Sequence, residues 1–246
     1  MLEFSTVCFL FLVAVGTFVQ TVSGFALGLV IILGATILDI EQITFSAAVI
    51  SLISLVNSGV ALRTSYGNID RSYFYYLCGA LFLGLLIGVI LLIYLSDVGY
   101  FVLRVLLGFV VIIAGILLLF RPMPKLARSS KLSSLVFGFA GGVFSGLFST
   151  GGSAWAYFLY RQPLNLEIIR ATLLAVLAFS CITRTIMITL TGQMTMNIVF
   201  TSLLSLPIVV LITEVTNRNL EHIPSAMVRK LVVGSMSLAG LFLIFG

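Results

Sequence analysis

The sequence predicts an all-α polytopic membrane protein arranged as an inverted repeat of two halves, and three observations carry that prediction. Hydrophobic residues make up 61% of the 246-residue chain and charged residues only 9%, against about 25% charged in a soluble domain. Apolar stretches recur that are long enough to cross the hydrocarbon core, which takes about 20 residues at about 1.5 Å each. Helix-breaking residues interrupt two of these stretches, at matching places in the two halves.

Each half is expected to hold a broken or re-entrant helical hairpin followed by three transmembrane helices, about eight to ten membrane segments in all. Residues 4–22 and 25–38 form the first hairpin, parted by Val22-Ser23-Gly24; the pattern does not decide whether it crosses fully or re-enters. Its start is apolar from Phe4 without a basic leader, so a retained membrane segment is expected. Asp39 and Glu41 mark a surface, residues 43–62 span, and Arg63 to Arg71 return the chain to water. Spans follow at 73–95 and 98–120, joined by a turn at Ser96-Asp97. The loop from Arg121 to Lys131 carries Arg121, Lys125, Arg128 and Lys131. The chain thus divides into a first membrane repeat at 1–120, a basic cytoplasmic linker at 121–134 and a second membrane repeat at 135–246.

The second hairpin, 135–149 and 153–161, surrounds the densest run of breakers, Gly141 to Ser153. Glycine costs a helix about 1 kcal/mol relative to alanine, and Ser149 and Thr150 can bond their own backbone. One helix therefore stops near Ser149 and another starts near Ser153. The second arm reaches only about 14 Å and should be re-entrant. Lipid cannot satisfy backbone groups freed by a break, so such a break must be buried in protein or line a watery cavity. Spans at 170–191, 198–216 and 226–246 complete the half, with turns at Thr191-Gly192-Gln193 and from Arg218 to Ser225.

The halves align. At a shift of 126, Gly16 meets Gly142, Ser23 meets Ser149 and Glu41 meets Glu167. At a shift of 125, the stretch from Arg104 to Phe120 meets Arg229 to Phe245. With the central loop cytoplasmic, Arg63, Arg71, Arg161, Arg170, Arg218, Arg229 and Lys230 fall inside, Asp39, Glu41 and Asp97 outside with Arg104 as the one basic exception, and both termini outside. The first hairpin then enters from outside and the second from the cytoplasm, as in inverted-repeat transporters.

The segments Gln20-Thr-Val-Ser-Gly-Phe-Ala-Leu-Gly and Gly142-Val-Phe-Ser-Gly-Leu-Phe-Ser-Thr-Gly-Gly resemble the paired glycine-rich segments of the TauE/SafE family of sulfite-exporter-like transporters. The resemblance implies a multi-pass inner-membrane permease for small sulfur-containing anions such as sulfite, sulfonates or sulfoacetate.

Candidate binding residues follow from the breaks. Backbone N–H groups of Gly151, Gly152 and Ser153 lie at a half-helix N-terminus, where the dipole favours an anion. Ser149 and Thr150 add hydroxyls, and the repeat-related set is Gln20, Thr21, Ser23 and Gly24. Helix packing is the competing use of these small residues. Arg184 sits within a span, and a membrane-embedded arginine is a functional hypothesis by default, with snorkelling to the outer interface as its alternative. Its counterpart is Asn57-Ser58. Trp155 and Tyr157 are expected to pack, and Cys8, Cys78 and Cys181 are expected to be core residues.

The expected partners are a small anionic substrate and the lipid bilayer, with no nucleic acid; a homo-oligomer is left open. No cofactor, metal or catalytic residue is expected. His222, the single histidine, lies in a loop, and no lysine, carboxylate pair or metal-spaced set sits at membrane depth. An intramembrane enzyme lacks a base beside its nucleophile. It stands, with a membrane-complex scaffold subunit, as the alternative to transport by alternating access around a midplane site. Proton-linked and uncoupled transport both stay open, with Glu214 the nearest acid.

Overall fold

A computed structural model describes residues 4–119 and 126–220, and every regular element in them is helical. The helices are α1 (Phe4–Ser23), α2 (Leu27–Ile37), α3 (Ile43–Leu62), α4 (Arg71–Val98), α5 (Tyr100–Leu119), α6 (Lys131–Phe148), α7 (Gly152–Tyr160), α8 (Leu166–Leu190) and α9 (Met196–Arg218), with a short 3-10 turn at Tyr66–Asn68. Six of them, α1, α3, α4, α6, α8 and α9, are long and apolar enough to cross a membrane. The protein is a multi-pass helical membrane protein. The span expected at 226–246, the loop residues Arg121 and Lys125, and Arg229, Lys230 and His222 lie outside the described residues.

Polar caps set the helix starts. Asp70 accepts from the Tyr73 N–H, Ser130 from Ser133 and Thr195 from Ile198, each satisfying one of the orphan donors of a first turn. These caps place α4, α6 and α9 a turn or less ahead of the apolar runs that signalled them. The turn expected at Ser96-Asp97 lies instead at Gly99. The Ser96 hydroxyl bonds back to the Ile93 carbonyl, so α4 continues through it, and the chain reverses where glycine adopts φ +142°.

Both hairpins pair a long arm with a short one. The first arms α1 and α6 have 20 and 18 residues, and the second arms α2 and α7 have 11 and 9. At 1.5 Å per residue the short arms reach only about 16 and 14 Å. Around them α3 packs on α8 and α9, α4 on α6 and α8, and α1 on α2 and α9. The α4–α6 contact is made backbone to backbone. A Cβ added at Gly84 would collide with the Phe139 carbonyl, and one at Gly142 with that of Leu81.

The loops sort onto two faces. On one, Arg128 pairs with Asp70 at 2.9 Å, Asn68 with Glu167 at 3.5 Å, and Gln162 with Tyr73 and Ser129. On the other, Gln42, Ser96, Gln193 and Thr195 surround one cavity. Single cysteines at Ser129 and Gln193 in a cysteine-free chain are therefore expected to react with an impermeant thiol reagent from opposite sides of the membrane. Labelling of both from one side would contradict this arrangement.

Candidate functional site

The two breaks are built alike and touch. Helix α1 ends at Ser23, after which Gly24 (φ +81°) and Ala26 (φ +85°) adopt left-handed backbone before α2 begins. The Ser23 hydroxyl is spent inside this turn, 2.7 Å from the Val19 and Phe25 carbonyls. Helix α6 ends at Phe148, Ser149 turns left-handed at φ +57°, and α7 starts at Gly152. Ala26 and Ser149 accept a conformation that L-residues disfavour. A Cβ at Gly28 would collide with the Ser149 carbonyl, and one at Gly152 would lie 3.0 Å from Phe25 Cβ.

Helix α8 gauges their depth. Leu173 lies against the Gly24 position and Leu177 against Gly152, 3.5 and 3.6 Å from the respective Cβ sites. Four residues of helix separate these contacts, about 6 Å of rise. The breaks therefore sit side by side within about one turn.

Beside the second break lies Arg184, 1% exposed. Its guanidinium turns into the protein: Nε donates to the Gly146 carbonyl at 3.2 Å, and Nη1 to Ser51 Oγ at 2.9 Å and to the Ala47 carbonyl. Gly146 is in the last turn of α6, where carbonyls lack helical partners and the dipole is negative, so a cation is stabilised there. Ser149 Oγ is 2.8 Å from Ser51 Oγ and bonds the same Ala47 carbonyl at 3.0 Å. Arg184 Nη2 is buried and has no partner among the described residues. The residue lines a cavity of about 390 Å³ whose walls include Phe45, Ala48, Val89, Leu92 and Ile188, with Gln42, Gln193 and Thr195 at the loop end. Neither described ion pair, Arg128–Asp70 or Arg218–Glu214, involves Arg184.

Gln20, Thr21 and Asn57 form a second, internally satisfied cluster, while Thr150 and Ser153 bond within their own break. Gln20 Nε2 donates to Asn57 Oδ1 at 2.6 Å and to Ser54 Oγ at 3.0 Å. Asn57 Nδ2 lies 2.9 Å from Thr21 Oγ1 and 2.7 Å from Thr213 Oγ1. Ser153 and Thr150 hydroxyls bond the Thr150 and Phe144 carbonyls, and Gly151 packs against the Gly141 carbonyl and Trp155. Sequence reasoning missed Ser51, Ser54 and Thr213, although Ser51 and Ser54 recur with Ser58 at helical spacing on α3. It also counted Arg170 only as a cytoplasmic-side charge at the start of a span. Arg170 instead donates from Nε to the Thr21 carbonyl at 2.8 Å and from Nη2 to Asn217 Oδ1 at 2.7 Å.

An oxyanion fits this chemistry: a desolvated guanidinium, a donor unpartnered among the described residues, and a water-accessible cavity whose described lining includes no carboxylate. A sequence profile described as sulfite exporter TauE/SafE matches residues 8–243. The chain belongs to the TauE/SafE family. This TauE/SafE protein is 30% identical over 223 residues to a Cupriavidus necator protein named probable sulfite/organosulfonate exporter TauE, covering 91% of this chain and 87% of that one. No solved structure matches the chain. Membership makes it a membrane transporter and sets the enzyme alternative aside.

Proposed function

We propose that this protein carries small sulfur-containing anions, namely sulfite, sulfonates or sulfoacetate, across the inner membrane by alternating access around the paired helix breaks. The observation that supports it most is Arg184: a buried cation whose Nη2 has no partner among the described residues, lining a cavity and seated against the break at Ser149. Binding an anion there offsets the desolvation of both charges, which neither would recover alone. The N-terminus of α7, at Gly152 and Ser153, follows the same break and adds partial positive charge to it. Apolar walls above a single cation suit a sulfonate head with a short organic tail, in keeping with the organosulfonate named for the relative.

The inverted repeat is part of the same reading. Exchanging the halves turns the α4–α6 contact into α9–α1 and the α3–α9 contact into α8–α4, and all four contacts are present. Ser54 bonds Gln20 of the first hairpin, and Ser180, its counterpart at a shift of 126, bonds Ser145 of the second. At the shift of 126 Ser58, next to Asn57, stands where the other half has Arg184, so the pathway is charged on one side and neutral on the other.

Purified protein in liposomes tests the function. Saturable flux of unaltered sulfite or ethanesulfonate above protein-free vesicles is expected. A folded protein that yields no flux would make it a scaffold, and a chemically changed product would return it to the enzymes.

A further inference from the structure

Helix α8 carries two arginines on nearly one face. Arg170 and Arg184 are fourteen residues apart, about four turns and about 21 Å of rise. Each donates to a carbonyl in the last turn of a broken helix, Thr21 in α1 for Arg170 and Gly146 in α6 for Arg184. Their surroundings differ. Arg184 lines the open cavity, whereas Arg170 is bonded on both sides, and Tyr160 at the end of α7 donates its hydroxyl to the Ser23 carbonyl at 3.1 Å close by. The ends of α1, α7 and α9 are thereby tied to one another and to α8.

The repeat gives this closure a meaning. At a shift of 126, Arg170 corresponds to Thr44 and Leu174 to Ala48; at a shift of 125, Asn217 corresponds to Leu92. Thr44, Ala48 and Leu92 all line the open cavity. Their counterparts bond across the same space in the other half, with Leu174 fully buried. We infer that Arg170, with Asn217 and Tyr160, is the latch that holds shut the second mouth of the pathway, on the Asp70 face, and that this mouth is the repeat-related copy of the open cavity. The inference rests on the alternating-access reading above.

The chemistry suits a latch. Arg170 is held by a carbonyl and an amide, and neither described ion pair includes it. An oxyanion is a stronger acceptor for a guanidinium than either partner. An anion reaching this end of α8 therefore competes for Arg170 and frees the end of α1. Arg170 is a positioning residue in this scheme: it sets which mouth is open.

The test uses two reporters in the full-length, cysteine-free chain: Ala48→Cys for the open cavity and Leu174→Cys for the shut mouth. With the latch intact, Ala48→Cys is expected to react with a small thiol reagent about tenfold or more faster than Leu174→Cys. Arg170→Gln and Asn217→Ala are expected to raise the Leu174→Cys rate by about tenfold and to lower the Ala48→Cys rate, with Tyr160→Phe shifting both the same way by less. A merely structural role would raise both rates together or leave both unchanged, and either result in a folded Asn217→Ala or Tyr160→Phe variant overturns the latch. Adding sulfite or ethanesulfonate to the latch-intact reporters separates the two levels. Opposite changes in the two rates keep alternating access standing whatever the variants do, and rates that never move in opposition overturn alternating access itself.

Discussion

Replacing Arg184 with glutamine is expected to lower anion flux by about a hundredfold, while lysine at the same place retains part of it. The guanidinium does three things at once: it satisfies the Gly146 carbonyl, it bonds Ala47 and Ser51, and it keeps Nη2 free. Glutamine removes the charge that draws the anion from water. Lysine keeps the charge but concentrates its donors on one nitrogen, which cannot bridge two separated carbonyls and still present a free donor in the same direction. A hydrogen bond to a charged group contributes about 1.5–3 kcal/mol, and tenfold in affinity corresponds to about 1.4 kcal/mol, so losing the bond and the charge together justifies the larger factor. Flux at matched expression, with thermal unfolding run alongside, checks it. Wild-type flux in a normally expressed Arg184→Gln variant would remove Arg184 from the pathway.

Gly28→Val is the second large effect, and it acts through packing alone. A Cβ at Gly28 meets the Ser149 carbonyl, a backbone atom that cannot swing aside, and lies 3.3 Å from Ile50 Cγ2. The substitution must push α2 away from the second break and open the contact that sets the two breaks side by side. Overpacking of this kind costs about 1–3 kcal/mol, so a lower unfolding temperature and a loss of anion affinity of about tenfold or more are expected. Gly152→Val should be milder in its steric demand, because its nearest neighbours are the Phe25 Cβ at 3.0 Å and the Leu177 side chain at 3.6 Å. Gly79→Val, with nothing among the described residues within 4 Å of its Cβ, is the control. If Gly28→Val behaves like Gly79→Val, the breaks do not depend on this contact.

The places where helices fail were legible because glycine and serine act on their own backbone: α6 stops at Phe148 and α7 starts at Gly152, within a residue of the positions read from the chain. Arg184 was legible because a charge inside an apolar span has few explanations. What stayed hidden depends on neighbours. A hydroxyl can bond an anion or the carbonyl four residues back, and only the fold shows that Thr21 and Ser23 take the carbonyl. Lipid and protein interior are equally apolar, so hydropathy alone does not say that α4 packs along α6 through glycine. Arg170 was read only as a cytoplasmic-side charge, yet the end of α1 is folded onto it. Ser51 was passed over for the same reason: its partners, Ser149 and Arg184, are 98 and 133 residues away.

The measurement that bears most directly on the central claim is equilibrium binding of sulfite and ethanesulfonate to purified protein, comparing wild type with Arg184→Gln. Saturable binding by the wild type, weakened about tenfold or more in a folded Arg184→Gln variant, is the predicted result. Equal affinity in the two proteins would contradict it and move the anion site away from the helix breaks.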